Sequence, residues 1–152
     1  VKRAVIAGFL AALLVSGSAY GYWSTAGSGS GAARSGTAVA LTLSPGTPAS
    51  QLYPGSISDV ALTITNPNAF VVQVGRISLD TTQGTGGFAV DTGHSACGLG
   101  ALSFTAQTNG STGWDVPASG SLGLHLSSSL TMATSAANAC QGATITVYLG
   151  TS

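Results

Sequence analysis

Charge is what this chain has least of. Only 5% of its 152 residues are Asp, Glu, Lys or Arg, and glutamate does not occur at all. Soluble domains usually carry about 25% charged residues, so a surface laced with ion pairs is excluded. Nucleic-acid binding is excluded with it, because neutralising phosphates requires clustered Lys and Arg. The cations are Lys2, Arg3, Arg34 and Arg76, and the anions are Asp59, Asp80, Asp91 and Asp115. Beyond residue 21 two arginines face four aspartates, a net charge of −2.

Other shortages narrow the chemistry. His94 and His125 are the only histidines, and no H-E-x-x-H occurs. With scattered aspartates as the remaining donors, neither a metal site nor a zinc peptidase is expected. The stretch Thr92-Gly93-His94-Ser95-Ala96-Cys97-Gly98 comes within one residue of the G-x-S-x-G nucleophile elbow. Cys97 stands where that motif needs glycine, and the motif also needs a strand–turn–helix that this composition does not support. The expectation is no catalytic residue and no cofactor. Asn109-Gly110-Ser111 fits the glycosylation sequon but reads as an Asn-Gly turn.

What is present is apolar and small. Hydrophobic residues make up 44% of the chain, and Gly, Ser and Thr dominate the remainder. Val and Thr suit pleated strands, and Gly and Ser suit the turns between them. The fold class expected is all-β. Period-two alternation recurs along the chain. It puts Val39, Leu41 and Leu43 on one face of residues 37–43, and Val60, Leu62 and Ile64 together in 57–65. In 70–79, Val72 and Val74 share one face and Ile77 and Leu79 the other, with a bulge or bend expected at Gly75. Shorter candidates are 87–90, 102–107 and 113–116. Leu122, Leu124 and Leu126 alternate in 121–127, leaving His125 facing solvent, and Ile145, Val147 and Leu149 point inward in 143–149. About eight short strands with turn signals between them predict an immunoglobulin-like or jelly-roll β-sandwich over 37–152, with a small barrel as the alternative.

The N-terminus is of another kind. Lys2 and Arg3 precede the apolar run 4–15, and Ser16, Gly17, Ser18 and Ala19 follow it. These are the three parts of a secretory signal, with cleavage expected after Ala19 or Gly21 and the signal spanning 1–21. The alternative is an uncleaved anchor over residues 4–23, barely long enough for a bilayer and weakened by its small residues. Val1 is what an alternative bacterial start codon would encode. Residues 22–36 have the Gly/Ser-rich composition of a linker. In an exported chain the two cysteines, Cys97 and Cys140, read as a disulfide.

Several stretches resemble the secreted biofilm-fibre family that includes TasA and camelysin. They are Ala19-Tyr20-Gly21-Tyr22-Trp23, then Ser35-Gly36-Thr37-Ala38-Val39-Ala40-Leu41, Leu52-Tyr53-Pro54-Gly55, Asn66-Pro67-Asn68, and Asn138-Ala139-Cys140-Gln141-Gly142. Cys140 stands where the family pattern has an aromatic residue. The resemblance implies a jelly-roll or immunoglobulin-like sandwich and extracellular assembly; these residues lend no support to a peptidase. The function expected is that of an exported, non-enzymatic structural or adhesive protein at the cell surface or in the extracellular matrix. Its partners would be other copies of itself, joined by strand donation from residues 37–43, or cell-surface polysaccharide, and a membrane only with an uncleaved leader. The alternative is a carbohydrate-binding module that stacks sugars on Trp114, Tyr53 and Tyr148.

Overall fold

A computed structural model of the protein describes residues 37–152, which form one unit. The signal, its cleavage sites and the linker lie outside the described residues. Alternation builds the first long strand: from Ile57 to Asn66, every even-numbered residue from Ser58 onward is buried. In chain order the strands are β1 (Thr42–Leu43), β2 (Thr47–Pro48), β3 (Ile57–Asn66), β4 (Val72–Val74), β5 (Ile77–Leu79) and β6 (Phe88–Val90). They continue with β7 (Leu102–Phe104), β8 (Trp114–Val116), β9 (Gly120–Met132), β10 (Ile145–Val147) and β11 (Leu149–Thr151). The all-β class expected from composition holds: helical structure among the described residues consists of three 3-10 turns. None is long and apolar enough to cross a membrane.

All the strand pairings are antiparallel. A five-stranded sheet runs β1–β3–β9–β7, with β2 also on β3, and three two-stranded ladders pair β10 with β6, β11 with β5, and β4 with β8. β3 and β9 form the longest pairing, from Ile57↔Thr131 to Asn66↔Gly120. Its register shifts between Ser58 and Val60, opposite a serine run on β9. There Ser128 adopts a φ of 50°, and its N–H donates to Asp59 Oδ1 at 2.7 Å. Because two residues are accommodated, Leu130 and Met132 keep the inward phase of Leu126.

The core draws on the sheet and the ladders alike. Val60, Leu62, Ile64, Leu126, Leu130 and Met132 meet Ile77, Phe88, Val116, Ile145, Val147 and Leu149 in one cluster. Each such side chain stabilises the fold by roughly 1.5–3 kcal/mol. Residues 145–151 carry β10 and β11 in succession and change partner at Tyr148, whose N–H donates to Gly87 and whose carbonyl accepts from Asp80. At Gly87 φ is 91° and a Cβ would stand 2.4 Å from Leu79, so only glycine fits. Gly46, between β1 and β2, pairs with Val147 through two hydrogen bonds of 2.7 and 2.8 Å. A Cβ there would lie 2.6 Å from Val60, so glycine allows this strand-to-strand approach.

Two expectations need correction. Residues 37–43 are paired only at Thr42 and Leu43, and Val39 is 59% exposed rather than inward. The strand expected over 121–127 runs from 120 to 132, because the Asp59 carboxylate absorbs the serine run as a bulge. The bend expected at Gly75 is present: the chain is re-aimed at Gly75–Arg76, whose N–H groups both donate to the carbonyl of Ser152, so that Val74 and Ile77 both enter the core.

Candidate functional site

The β3 terminus gathers three remote parts of the chain around two asparagines. Asn66 is the last residue of an inward-facing row, so its amide is driven into the core's end, where it is 1% exposed. A buried amide is tolerated only when fully bonded. Asn66 Nδ2 donates to the carbonyls of Phe70, Val116 and Pro117, at 2.8, 3.1 and 3.1 Å. Its Oδ1 accepts from the N–H and the Nδ2 of Asn68, both at 2.9 Å. Asn68, 5% exposed, then grips the incoming chain. Its Oδ1 accepts from the N–H of Val39 at 2.7 Å and its Nδ2 donates to the carbonyl of Val39 at 2.8 Å.

This clamp reads main chain only, since Asn68 satisfies the donor and acceptor of Val39 and leaves the valine side chain outside. Residues 37–40 are all exposed. The alternating bonds of an antiparallel pair reach this segment at Thr42↔Thr65 and at Ser44, whose N–H donates to Thr63 at 2.8 Å. In sequence, Asn66-Pro67-Asn68 stands out only within the family resemblance, and the clamp went unread. The available signal was an asparagine occupying the next inward position of a strand row.

A second polar cluster stands beside the disulfide. Cys97 and Cys140 are joined, with Cα atoms 4.5 Å apart, as the cysteine count predicts. Next to them Asp91 caps the 3-10 turn Thr92–His94: its Oδ1 accepts from Gly93 N–H at 3.0 Å and faces His94 Nδ1 at 2.8 Å. Its Oδ2 accepts from the N–H of Thr144 at 2.7 Å, just before β10. The His94 hydrogen bond, followed by that of Thr144, holds the Asp91 carboxyl below the usual carboxylate range. The loop is therefore tied twice to the segment leading into β10, covalently at Cys140 and through a carboxylate at Thr144. Ser95 follows a 3-10 turn rather than opening an α-helix, and among the described residues no hydrogen bond joins it to His94. Asp91 and His94 meet, but no group of three potential metal ligands forms among the described residues.

The aromatic candidates fall on separate elements. Tyr53, in the turn before β3, is 65% exposed. Trp114 on β8 is half-buried against the core. Tyr148 is half-buried, its ring over Gly84. His125 is exposed as expected, on a shallow groove of about 400 Å³ with Ser44, Thr47 and Thr63. Asn109 closes an exposed turn, donating through Nδ2 to the carbonyl of Gly113 at 2.8 Å.

The geometry thus defines a disulfide-linked, all-β domain whose N-terminal segment is held at its margin by a main-chain clamp. No protein-family model, curated protein or solved structure matches the chain.

Proposed function

We propose that this is an exported, non-enzymatic structural or adhesive protein, built as one immunoglobulin-like or jelly-roll sandwich. In this reading it assembles at the cell surface or in the extracellular matrix by donating residues 37–43 to a neighbour. The observation that carries it is the attachment of this segment: one amide clamp at Val39, then a two-strand contact at Thr42 and Leu43. All of these bonds go to the segment's main chain, at Val39 from the side-chain amide of Asn68. The same segment from another copy would form them equally well, and strand addition derives its affinity from bonds to the main chain. No edge-protecting Lys or Pro lies between 37 and 43. A disulfide in place of ion pairs also suits an oxidising compartment.

The test compares the mature chain with one starting at Ser44, by light scattering and electron microscopy. Assemblies that form only with residues 37–43 support donation. Absence of assemblies from both, with the shorter chain merely unfolding, would make the segment private to its own domain and overturn the reading. Tyr53 gives the carbohydrate-binding alternative its one favourable observation, a ring open to solvent. Polysaccharide pull-down weakened by Tyr53→Ala would favour that alternative.

A further inference from the structure

Asparagine occurs at positions 66, 68, 109 and 138, and the fold treats these residues differently. Asn66 and Asn68 are buried with both amide atoms bonded, and Asn66 precedes a proline, which has no N–H. Asn138 begins a 3-10 turn and is followed by Ala139, whose methyl group shields its N–H. Asn109 alone is followed by glycine. It is the first residue of an exposed turn, Asn109–Thr112, in which its carbonyl accepts from the Thr112 N–H at 3.3 Å and the Thr112 hydroxyl at 3.0 Å. Gly110 has a φ of 59°, and nothing lies within 4 Å of where a Cβ would stand. Its N–H has no hydrogen-bond partner among the described residues. A single exposed bond restrains the Asn109 carboxamide, from Nδ2 to the Gly113 carbonyl at 2.8 Å. One such bond biases a conformation by about ten-fold at most.

We propose that Asn109 is a self-modification site, at which the folded chain deamidates through a cyclic imide and thereby opens this turn. Hydroxide takes the proton of the Gly110 N–H, and the nitrogen forms a bond to Asn109 Cγ. The bond from Cγ to Nδ2 breaks, and ammonia leaves. Water then opens the five-membered imide at one of its two carbonyls. Opening at Cγ leaves aspartate. Opening at the main-chain carbonyl leaves isoaspartate, in which the backbone runs through the former side chain. Water and hydroxide are the only co-reactants, and nothing is oxidised or reduced. Either product loses the Nδ2 donor and gains a carboxylate, which cannot donate to the Gly113 carbonyl. It also adds a negative charge to a chain that carries −2 beyond residue 21. The turn is fastened to β4 by Gln73, whose Nε2 donates to the Thr112 carbonyl at 2.7 Å. Loss of the Asn109 bond therefore loosens the loop leading into β8, while Val116 and the rest of the core stay packed.

The experiment holds the folded, disulfide-bonded chain in mildly alkaline buffer and maps its peptides by mass spectrometry over time. Aspartate and isoaspartate should both accumulate at 109, with an acidic shift on isoelectric focusing. Asn66, Asn68 and Asn138 should keep their amides. The rate at 109 in the native chain should lie within about ten-fold of the rate in the urea-unfolded chain, because one hydrogen bond is all that folding adds there. Gly110→Ala should slow the reaction by about ten-fold or more, since its methyl group closes the approach. Alanine is strained at this φ, so Asn109→Gln, which keeps the glycine and the amide, is the second variant and should abolish the acidic shift. Circular dichroism checks the folding of both. In the modified chain the Thr112 amide should lose its protection from hydrogen exchange while β3 keeps its own. Conversion at 109 only in the unfolded chain would overturn the proposal. So would equal conversion at Asn138, aspartate without isoaspartate (the mark of direct hydrolysis), or a Thr112 amide unchanged by the modification.

Discussion

Two pentapeptides of this chain are nearly identical, Val39-Ala40-Leu41-Thr42-Leu43 and Val60-Ala61-Leu62-Thr63-Ile64. They meet end to end, with Leu43 opposite Ile64. Yet Val60 is 0% exposed and Val39 is 59% exposed. Period-two alternation specifies which side chains share a face, and both segments have it. What differs is the number of neighbours. The 60–64 segment has β1 and β2 on one side and β9 on the other, with the ladder strands' side chains beneath it. The 39–43 segment has β3 on one side over two residues and a single amide beyond. Burial, and with it stability, belongs to the second set of partners.

The largest break in this contrast should come from removing what holds the core together on the far side. Replacing Cys97 and Cys140 by Ala releases a loop of sequence separation 43, costing about 4 kcal/mol in the chain-entropy account. Thermal unfolding should show a Tm lower by roughly 10–20 °C. Next comes the direct pair. Leu62→Ala should cost about 2–4 kcal/mol by denaturant titration, and the matched Leu41→Ala less than about 1 kcal/mol, since Leu41 is only half-buried. Equal costs would remove the distinction between the segments.

Asn66→Ala should follow at about 1–3 kcal/mol, because it leaves the carbonyls of Phe70, Val116 and Pro117 without their shared donor. Asn68→Ala should cost less globally while releasing residues 37–41 selectively, which limited proteolysis reads as faster cutting there. The smallest effect concerns pH. Asp91 titrates below the usual carboxylate range in the folded chain, chiefly through His94 and Thr144. The folded state thus favours its charged form. The stabilisation is complete above the ordinary carboxylate pKa and is lost as pH falls through the lowered one. The Tm gap between the native chain and Asp91→Asn should be open at pH 7 and closed near pH 2.

The comparison also shows what could be read from residues alone. Strands with two-sided neighbours were legible, because the inward positions of residues 60–64 and 143–149 are all apolar. The disulfide was legible from a count of two. The Ser127–Ser129 run was not, since serine carries no face signal and the bulge depends on Asp59, more than sixty residues earlier. The clamp was not either: Asn68 finds its partner at a sequence distance of 29, and only the buried setting of Asn66 forces both amides to be satisfied. Tyr148 lies opposite the inward face of its strand, which suits exposure, yet it is half-buried while Tyr53 is open, a difference decided by long-range packing.

The account's central claim is that residues 39–43 are held locally, by main-chain bonds at the margin, while 60–64 are held by the whole fold. Residue-resolved hydrogen exchange of the native chain tests it most directly. The prediction is that Val60, Leu62 and Ile64 exchange only through global unfolding. The amides of Val39 and Thr42 should exchange at least a hundred-fold faster, with Val39 accelerated further in Asn68→Ala. Protection of Val39 and Thr42 equal to that of β3, unchanged in Asn68→Ala, would contradict it.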